Sequence, residues 1–260
     1  MFINKNFFYI NFKKVPNPKA NIIITHGLGE SSQDYLPLAD FLCQAGYNVI
    51  LYDVRGHGKS GGSRGDVNNF HVLVDDLASL VKEIKKKSSL KIFLIGHSMG
   101  GIITNAYMVK YGEVNGSIIS SAPAHALNNK HLKYPFYWFN FKLRKLNFLS
   151  NKIAHKPIYK GYFPYHLEYV TPRLMRNLLV LSPQYLQKRL SFYVGSVLFL
   201  YSIQDKIISF KNGSFLFEKV PSKDKKLILY QKSYHNLFHD IEATKAFDDT
   251  VLWLDQRYWR

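Results

Sequence analysis

The stretch Ile92-Phe93-Leu94-Ile95-Gly96-His97-Ser98-Met99-Gly100-Gly101 decides how this chain folds. Its first four residues are large and apolar, which reads as a strand buried on both faces. The residues that follow, Ile102 to Val109, carry a helical pattern. Between the two, Gly96-His97-Ser98-Met99-Gly100 fits G-x-S-x-G, the sharp strand-to-helix turn that projects a serine hydroxyl above a sheet. A bulky side chain at Gly96 or Gly100 would strike the neighbouring strand or helix. The helix N-terminus beyond Ser98 favours negative charge.

Working outward, apolar runs alternate with helical patterns from residue 20 onward. Ile22-Ile23-Ile24 is a buried strand. A helix through Leu36, Leu38, Ala39 and Leu42 follows, capped by Ser31 or Ser32 and ended by Gly46, and Val49-Ile50-Leu51-Tyr52 is the next strand. A second helix starts near Asn68 or Asn69, buries Leu73, Val74, Leu77, Leu80, Val81 and Ile84, and closes on Lys85-Lys86-Lys87, where cations suit the helix dipole. Ser117 to Ser120 is a strand, and after Pro123 the alternation breaks. It resumes with strands at Val197 to Tyr201 and Leu227 to Tyr230 and a closing helix from Ile241 to Leu254. The fold class is therefore α/β, a mostly parallel sheet covered by helices on both faces. At 260 residues one core suffices. The expected division is a core of residues 1–123 and 193–260 with a cap of residues 124–192 inserted into it.

A hydroxyl is a weak nucleophile at neutral pH, so Ser98 needs a histidine base, and the base needs a carboxylate to fix its tautomer. Asp205 comes four residues after the Val197 to Tyr201 strand, and His235 comes five after the Leu227 to Tyr230 strand. Both loops leave the carboxyl edge of the sheet, where such folds gather their sites. Negative charge developing on a substrate oxygen calls for two backbone N–H groups. Met99 supplies one. Leu28, in Thr25-His26-Gly27-Leu28-Gly29 directly after the first buried strand, supplies the other.

Each assignment has competitors. Asp224 and Glu218 compete as the acid, although Ser222-Lys223-Asp224-Lys225 reads as a solvated turn. His239 competes as the base, and a metal on His235 and His239 would lack a third ligand, so neither metal nor cofactor is expected. His26, His57 and His97 are expected to hold loops together. Asp53 and Arg55 are expected to tie their own loop by hydrogen bonds and a charge pair, and Asp75-Asp76 to lie on a helix surface.

The formal net charge is +17 at pH 7, and the stretch from His125 to Leu190 holds twelve basic residues against Glu168 alone. Among them lie Tyr134, Phe136, Tyr137, Trp138, Phe139, Phe141 and Phe148. Such a mixture suits the headgroup boundary of an anionic membrane, or else a packed lid with a solvated basic face. Nucleic acid is not an expected partner, because no recognised module is present. Cys43 is the only cysteine, which excludes an internal disulfide and reads as a small core residue. The interrupted apolar residues of the N-terminus read as an opening strand, and no run approaches the ~20 apolar residues of a membrane span. The expected location is the cytoplasm, with peripheral contact at a membrane through the cap.

The chain resembles the monoacylglycerol lipase and lysophospholipase branch of the α/β-hydrolase superfamily. The matching segments are His26-Gly27-Leu28-Gly29-Glu30, Asp53-Val54-Arg55-Gly56-His57-Gly58-Lys59-Ser60, Gly96-His97-Ser98-Met99-Gly100-Gly101, Asp205-Lys206-Ile207-Ile208 and Tyr234-His235-Asn236-Leu237-Phe238. The resemblance implies Ser98 as nucleophile, Asp205 as acid, His235 as base and Leu28 and Met99 as oxyanion donors. It implies cleavage of carboxylic esters of single-chain lipids, a monoacylglycerol or a lysophospholipid. A short-chain carboxylesterase and a non-catalytic lipid- or nucleic-acid-binding protein on the same fold are the alternatives. Two positions depart from the pattern. Ser202 stands where relatives usually have glycine, and His239-Asp240 replaces an Asn-Glu pair.

Overall fold

The computed structural model describes residues 1–3, 6–126, 143–147, 150, 152–155 and 164–259. Seven strands form the central sheet: β1 (Ile10–Lys13), β2 (Asn21–Thr25), β3 (Asn48–Tyr52), β4 (Ile92–His97), β5 (Gly116–Ser120), β6 (Ser196–Ser202) and β7 (Lys225–Tyr230). Their order is β7-β6-β5-β4-β2-β3-β1, and every pair is parallel except β1 with β3. The parallel pairs need crossovers, and helices supply them: α1 (Leu36–Gln44), α2 (His71–Lys87), α3 (Met99–Lys110) and, between β6 and β7, α6 (Lys211–Lys219). The closing helix α7 spans Ala243–Tyr258. This is the α/β-hydrolase arrangement.

The period of two along each strand sorts the core into two layers. Ile22 and Ile24 of β2, Phe93 and Ile95 of β4 and Leu198 and Leu200 of β6 face α1 and α7, packing with Leu38, Leu42, Trp253 and Leu254. Ile23, Leu94, Val197 and Phe199 face the other way, onto Leu77, Leu80, Ile103 and Leu216. Strands apolar on both faces are what a doubly covered sheet requires.

Residues 172–187, in the segment expected to form a cap, are helical, where the sequence pattern predicts no regular element. They consist of α4 (Pro172–Arg176), a π-helical turn (Asn177–Leu181) and α5 (Ser182–Gln187). Leu174, Leu178, Leu186 and Leu190 are buried in the same layer as α2 and α3. Asn177 accepts a hydrogen bond from the Phe70 amide at 3.0 Å, one residue before α2 begins. Lys130, Lys133, Lys142, Lys156 and Lys160 and the aromatic residues named for the cap, Tyr134 to Phe148, lie outside the described residues. Among the described residues no helix is long and apolar enough to cross a membrane.

Two expectations need correction. Arg55 pairs not within its own loop but with Asp76 of α2, through two hydrogen bonds of 2.7 and 2.6 Å. Asp76 is consequently buried rather than on the helix surface, while its neighbour Asp75 is the one at the surface, meeting Lys110 and Tyr111. Asp224 lies in a solvated bend as expected, with 38% of its side chain exposed, where it pairs with Arg257 and accepts from Ser196. Helical spacing alone could not separate Asp75 from Asp76, because which of two adjacent residues faces inward depends on a partner from a distant loop.

Candidate active site

The turn after β4 is tight. Ser98 adopts φ 50° and ψ −112°, a left-handed backbone that a side chain rarely takes. It is held by its amide donating to the Ser120 carbonyl at 2.8 Å and its carbonyl accepting from the Ile102 amide at 3.0 Å. A methyl at Gly96 would lie 2.4 Å from the Gly100 carbonyl oxygen, and one at Gly100 would lie 2.0 Å from that of Thr25. Both glycines are needed for closeness, as the motif suggested.

His235 Nε2 lies 3.0 Å from Ser98 Oγ, and His235 Nδ1 lies 2.8 Å from Asp205 Oδ2. The other Asp205 oxygen accepts from the Ile207 and Ile208 amides at 2.7 and 2.8 Å. Burial by itself would raise the Asp205 pKa, but His235 and these two amides outweigh it and hold the carboxyl below its ordinary value. With Asp205 ionised, His235 carries its proton on Nδ1 and turns a bare Nε2 toward the serine hydroxyl.

Met99 is the first residue of α3, so its N–H points out of the helix end beside Ser98. Leu28 sits across the cavity in a loop whose peptide is pinned: the Gly27 carbonyl is bonded to His26 Nδ1 at 2.8 Å, and the Glu30 amide donates to it at 3.3 Å. Fixing that carbonyl fixes the Leu28 N–H, which belongs to the same planar peptide. Ser98, His235, Leu28, Leu146, Ile153 and Ile207 are among the residues lining a cavity of about 160 Å³. A larger cavity, about 630 Å³ beside Phe12, Lys14 and Lys87, lies at the opposite edge of the sheet and contains none of these groups.

The remaining histidines hold loops, as expected. His26 Nε2 accepts from the Val54 amide at 2.9 Å, and His57 Nδ1 is bonded to the Arg55 carbonyl at 3.1 Å. His239 meets the Asp34 carbonyl at 2.6 Å instead of joining His235. Asp53 accepts from the Ser32 and Lys59 amides, each at 2.7 Å. At the two departures from the family pattern, the Ser202 hydroxyl donates to the Ser233 carbonyl, and Asp240 accepts from the Tyr234 and His155 amides at 2.7 and 3.0 Å. Both thus brace the loop that carries His235.

Sequence reasoning gave no role to Glu30 or Asn236. Glu30 is 3% exposed and accepts from Gly27 N, Tyr35 Oη and Asn236 Nδ2. The one available signal was a carboxylate set three residues after Gly27 in a glycine loop.

Comparison with known proteins gives the family. Residues 16–242 match the family model described as serine aminopeptidase, S33. The monoacylglycerol lipase of Mycolicibacterium smegmatis is 27% identical over 251 residues, covering 92% of this chain and 89% of that protein. The monoglyceride lipase of Homo sapiens is 29% identical over 263 residues, covering 95% and 86%. Among solved structures, the Paleococcus ferrophilus monoacylglycerol lipase superposes with a TM-score of 0.82 at 23% identity, over 96% of this chain and 99% of that one. A soluble variant of the Saccharomyces cerevisiae monoglyceride lipase, in complex with a substrate analogue, gives 0.84 at 23% identity over 99% and 94%. The chain belongs to this serine aminopeptidase family, built on the α/β-hydrolase fold.

Proposed function

We propose that the chain is a serine hydrolase that cleaves the carboxylic ester of a single-chain lipid, a monoacylglycerol or a lysophospholipid, through an acyl-enzyme on Ser98. The observation that carries the reading is the hydrogen-bonded line Asp205, His235, Ser98 at a cavity walled by Leu28, Leu146, Ile153 and Ile207. His235 Nε2 takes the proton of Ser98 Oγ as that oxygen attacks the ester carbon, and the carbonyl oxygen becomes an oxyanion facing the Leu28 and Met99 amides. Collapse expels the alcohol, which leaves with the proton held on His235. Water then repeats the sequence against the acyl ester and frees the acid and Ser98. No metal or cofactor enters these steps. The monoacylglycerol lipase and monoglyceride lipase relatives support the substrate class.

We read residues 124–192 as a cap inserted into the core, whose basic and aromatic sequence suits contact with an anionic membrane surface from the cytoplasm. A short-chain ester is the second reading. The cavity, about 160 Å³, is smaller than the roughly 300–1,000 Å³ of ordinary ligand pockets.

The test is covalent labelling with a fluorophosphonate, followed by hydrolysis of a panel containing monoacylglycerols, lysophospholipids, p-nitrophenyl butyrate and an aminoacyl p-nitroanilide. The expected result is one adduct on Ser98, lost in Ser98→Ala together with turnover, and fastest hydrolysis of a single-chain lipid ester. No adduct on folded protein would remove the hydrolase reading. Preference for butyrate or for the anilide would replace the lipid substrate with a short ester or an aminoacyl amide.

A further inference from the structure

Glu30, His97 and Asn236 line the active-site cavity and Ser120 bonds to His97, each at most 3% exposed. The steps proposed above use none of them. Among the described residues no lysine or arginine pairs with Glu30, and its buried carboxylate accepts from donors of the site: Gly27 N and Tyr35 Oη at 2.7 Å on Oε2, and Asn236 Nδ2 at 3.0 Å on Oε1. A buried carboxylate without a cation is costly unless its hydrogen bonds are complete.

Those bonds dictate the direction of every link behind them. Burial opposes ionisation of Glu30, yet the neighbouring His97 and His239 and the bonds from Tyr35 and Gly27 hold its carboxyl well below the ordinary range. An ionised carboxylate can only accept, so Asn236 must turn its amide nitrogen toward Glu30. Asn236 Oδ1 then faces His97 Nε2 at 3.1 Å and can only accept from it. Burial pushes the His97 pKa down to about 4, so the ring is neutral at pH 7 with a single proton, which this contact fixes on Nε2. His97 Nδ1, 3.1 Å from Ser120 Oγ, therefore accepts from the hydroxyl. The chain runs one way, Ser120 to His97 to Asn236 to Glu30, and such aligned bonds strengthen one another.

Each link adjoins a part of the reaction centre. His97 precedes Ser98, Asn236 follows His235, Glu30 clamps the Gly27 amide next to Leu28, and the Ser120 carbonyl holds the Ser98 amide. We propose that Glu30, Asn236 and His97 are positioning residues, a polarised cross-brace that sets the Leu28 amide, the Ser98 turn and the His235 ring in mutual register for ester cleavage. This rests on the serine-hydrolase reading above. Misplacement of reacting groups by about 1 Å can cost about a hundredfold, so such a brace acts on kcat rather than on substrate binding.

The experiment moves the carboxylate one link along the chain. Asn236→Asp sets two carboxylates against each other at the 3.0 Å contact, and they cannot both ionise. On p-nitrophenyl butyrate at about pH 8, kcat should fall at least about tenfold with KM within about twofold. The ratio of variant to wild type should rise toward about pH 6, as the pair takes up a proton. In Glu30→Gln with Asn236→Asp every donor finds an acceptor again. The glutamine oxygen accepts from Gly27 and Tyr35, its nitrogen donates to the aspartate at position 236, and that aspartate accepts from His97. The double variant should recover to within about threefold of wild type, because the polarity of the chain is restored.

An Asn236→Asp rate equal to wild type, or a double variant no faster than the single, overturns the brace. Should Asn236→Asp fail to fold, Ser120→Ala removes the terminal donor and should lower kcat about threefold to tenfold at constant KM, and an unchanged kcat there overturns it equally. Wild type that neither labels with fluorophosphonate nor turns over sinks the hydrolase reading itself, whereas active wild type with unaffected variants sinks only the brace.

Discussion

The loops around Ser98 and the described residues 152–176 are fastened by different contacts. Under the loops the polar side chains are buried and bonded to one another, from Asp205 and His235 through Glu30, Asn236 and His97. Residues 155–173 are tied more variably: His166 to Asp34 is buried, with 8% and 6% of the side chains exposed, whereas Arg173, paired with Asp66 at the rim, keeps 43% of its side chain exposed. The difference is one of dielectric. A buried network loses heavily when one partner is removed, while an exposed pair is screened and exchanges its bond for water.

The contrast breaks most sharply at the acid. Asp205→Asn should lower kcat about 10⁴-fold, since an amide favours the wrong tautomer of the base, while the fold persists. Stopped or steady-state assays on p-nitrophenyl butyrate check this, and near-wild-type rates would remove Asp205 from the role given to it. Next in size is the buried pair under the Asp53 loop. Arg55→Ala leaves Asp76 charged and buried with its guanidinium gone, and urea unfolding should register a loss of about 3–5 kcal/mol.

Acid should expose the same buried network. Burial holds the His57 pKa at about 3 and that of His97 at about 4, both below the 6.5 of an exposed histidine. Between these values the unfolded chain binds protons that the folded one refuses. Stability should therefore fall as pH drops from about 6.5 toward 4, with a slope of up to about 1.4 kcal/mol per pH unit for each histidine. Asp205 and Glu30, whose carboxyls are held low, add their own losses only at lower pH. His57→Asn should flatten the slope whatever it does to stability near pH 8, and a slope identical to wild type would contradict the burial argument. The smallest effect belongs to the rim. Arg173→Ala should cost about 0–1 kcal/mol and leave hydrolysis of a soluble ester unchanged. A loss as large as that of Arg55→Ala would erase the distinction between the core loops and the rim.

Much of the candidate site was legible in the sequence. The strand, G-x-S-x-G turn and helix at Ile92 to Val109, and the loops holding Asp205 and His235, depend on local patterns that a sequence displays directly. The helix over residues 172–187 was not legible, because its apolar residues are interleaved with prolines and basic residues and its buried side is fixed by α2 and α3. Glu30 and Asn236 were printed inside quoted motifs and still had no role, since hydrogen-bond direction between residues about two hundred positions apart leaves no periodic trace.

By itself, then, the sequence determined the order of strands and helices and the loops on which the reactive groups stand, because those follow from periodicity and glycine placement within a few residues. Tertiary structure alone decided that Asp76 rather than Asp75 turns inward to Arg55, that Asp224 is spent on Arg257, and that Ser120, His97, Asn236 and Glu30 form one chain of bonds. The physical reason is common to all three. A polar side chain goes where a distant partner can satisfy it, and burial makes that satisfaction obligatory.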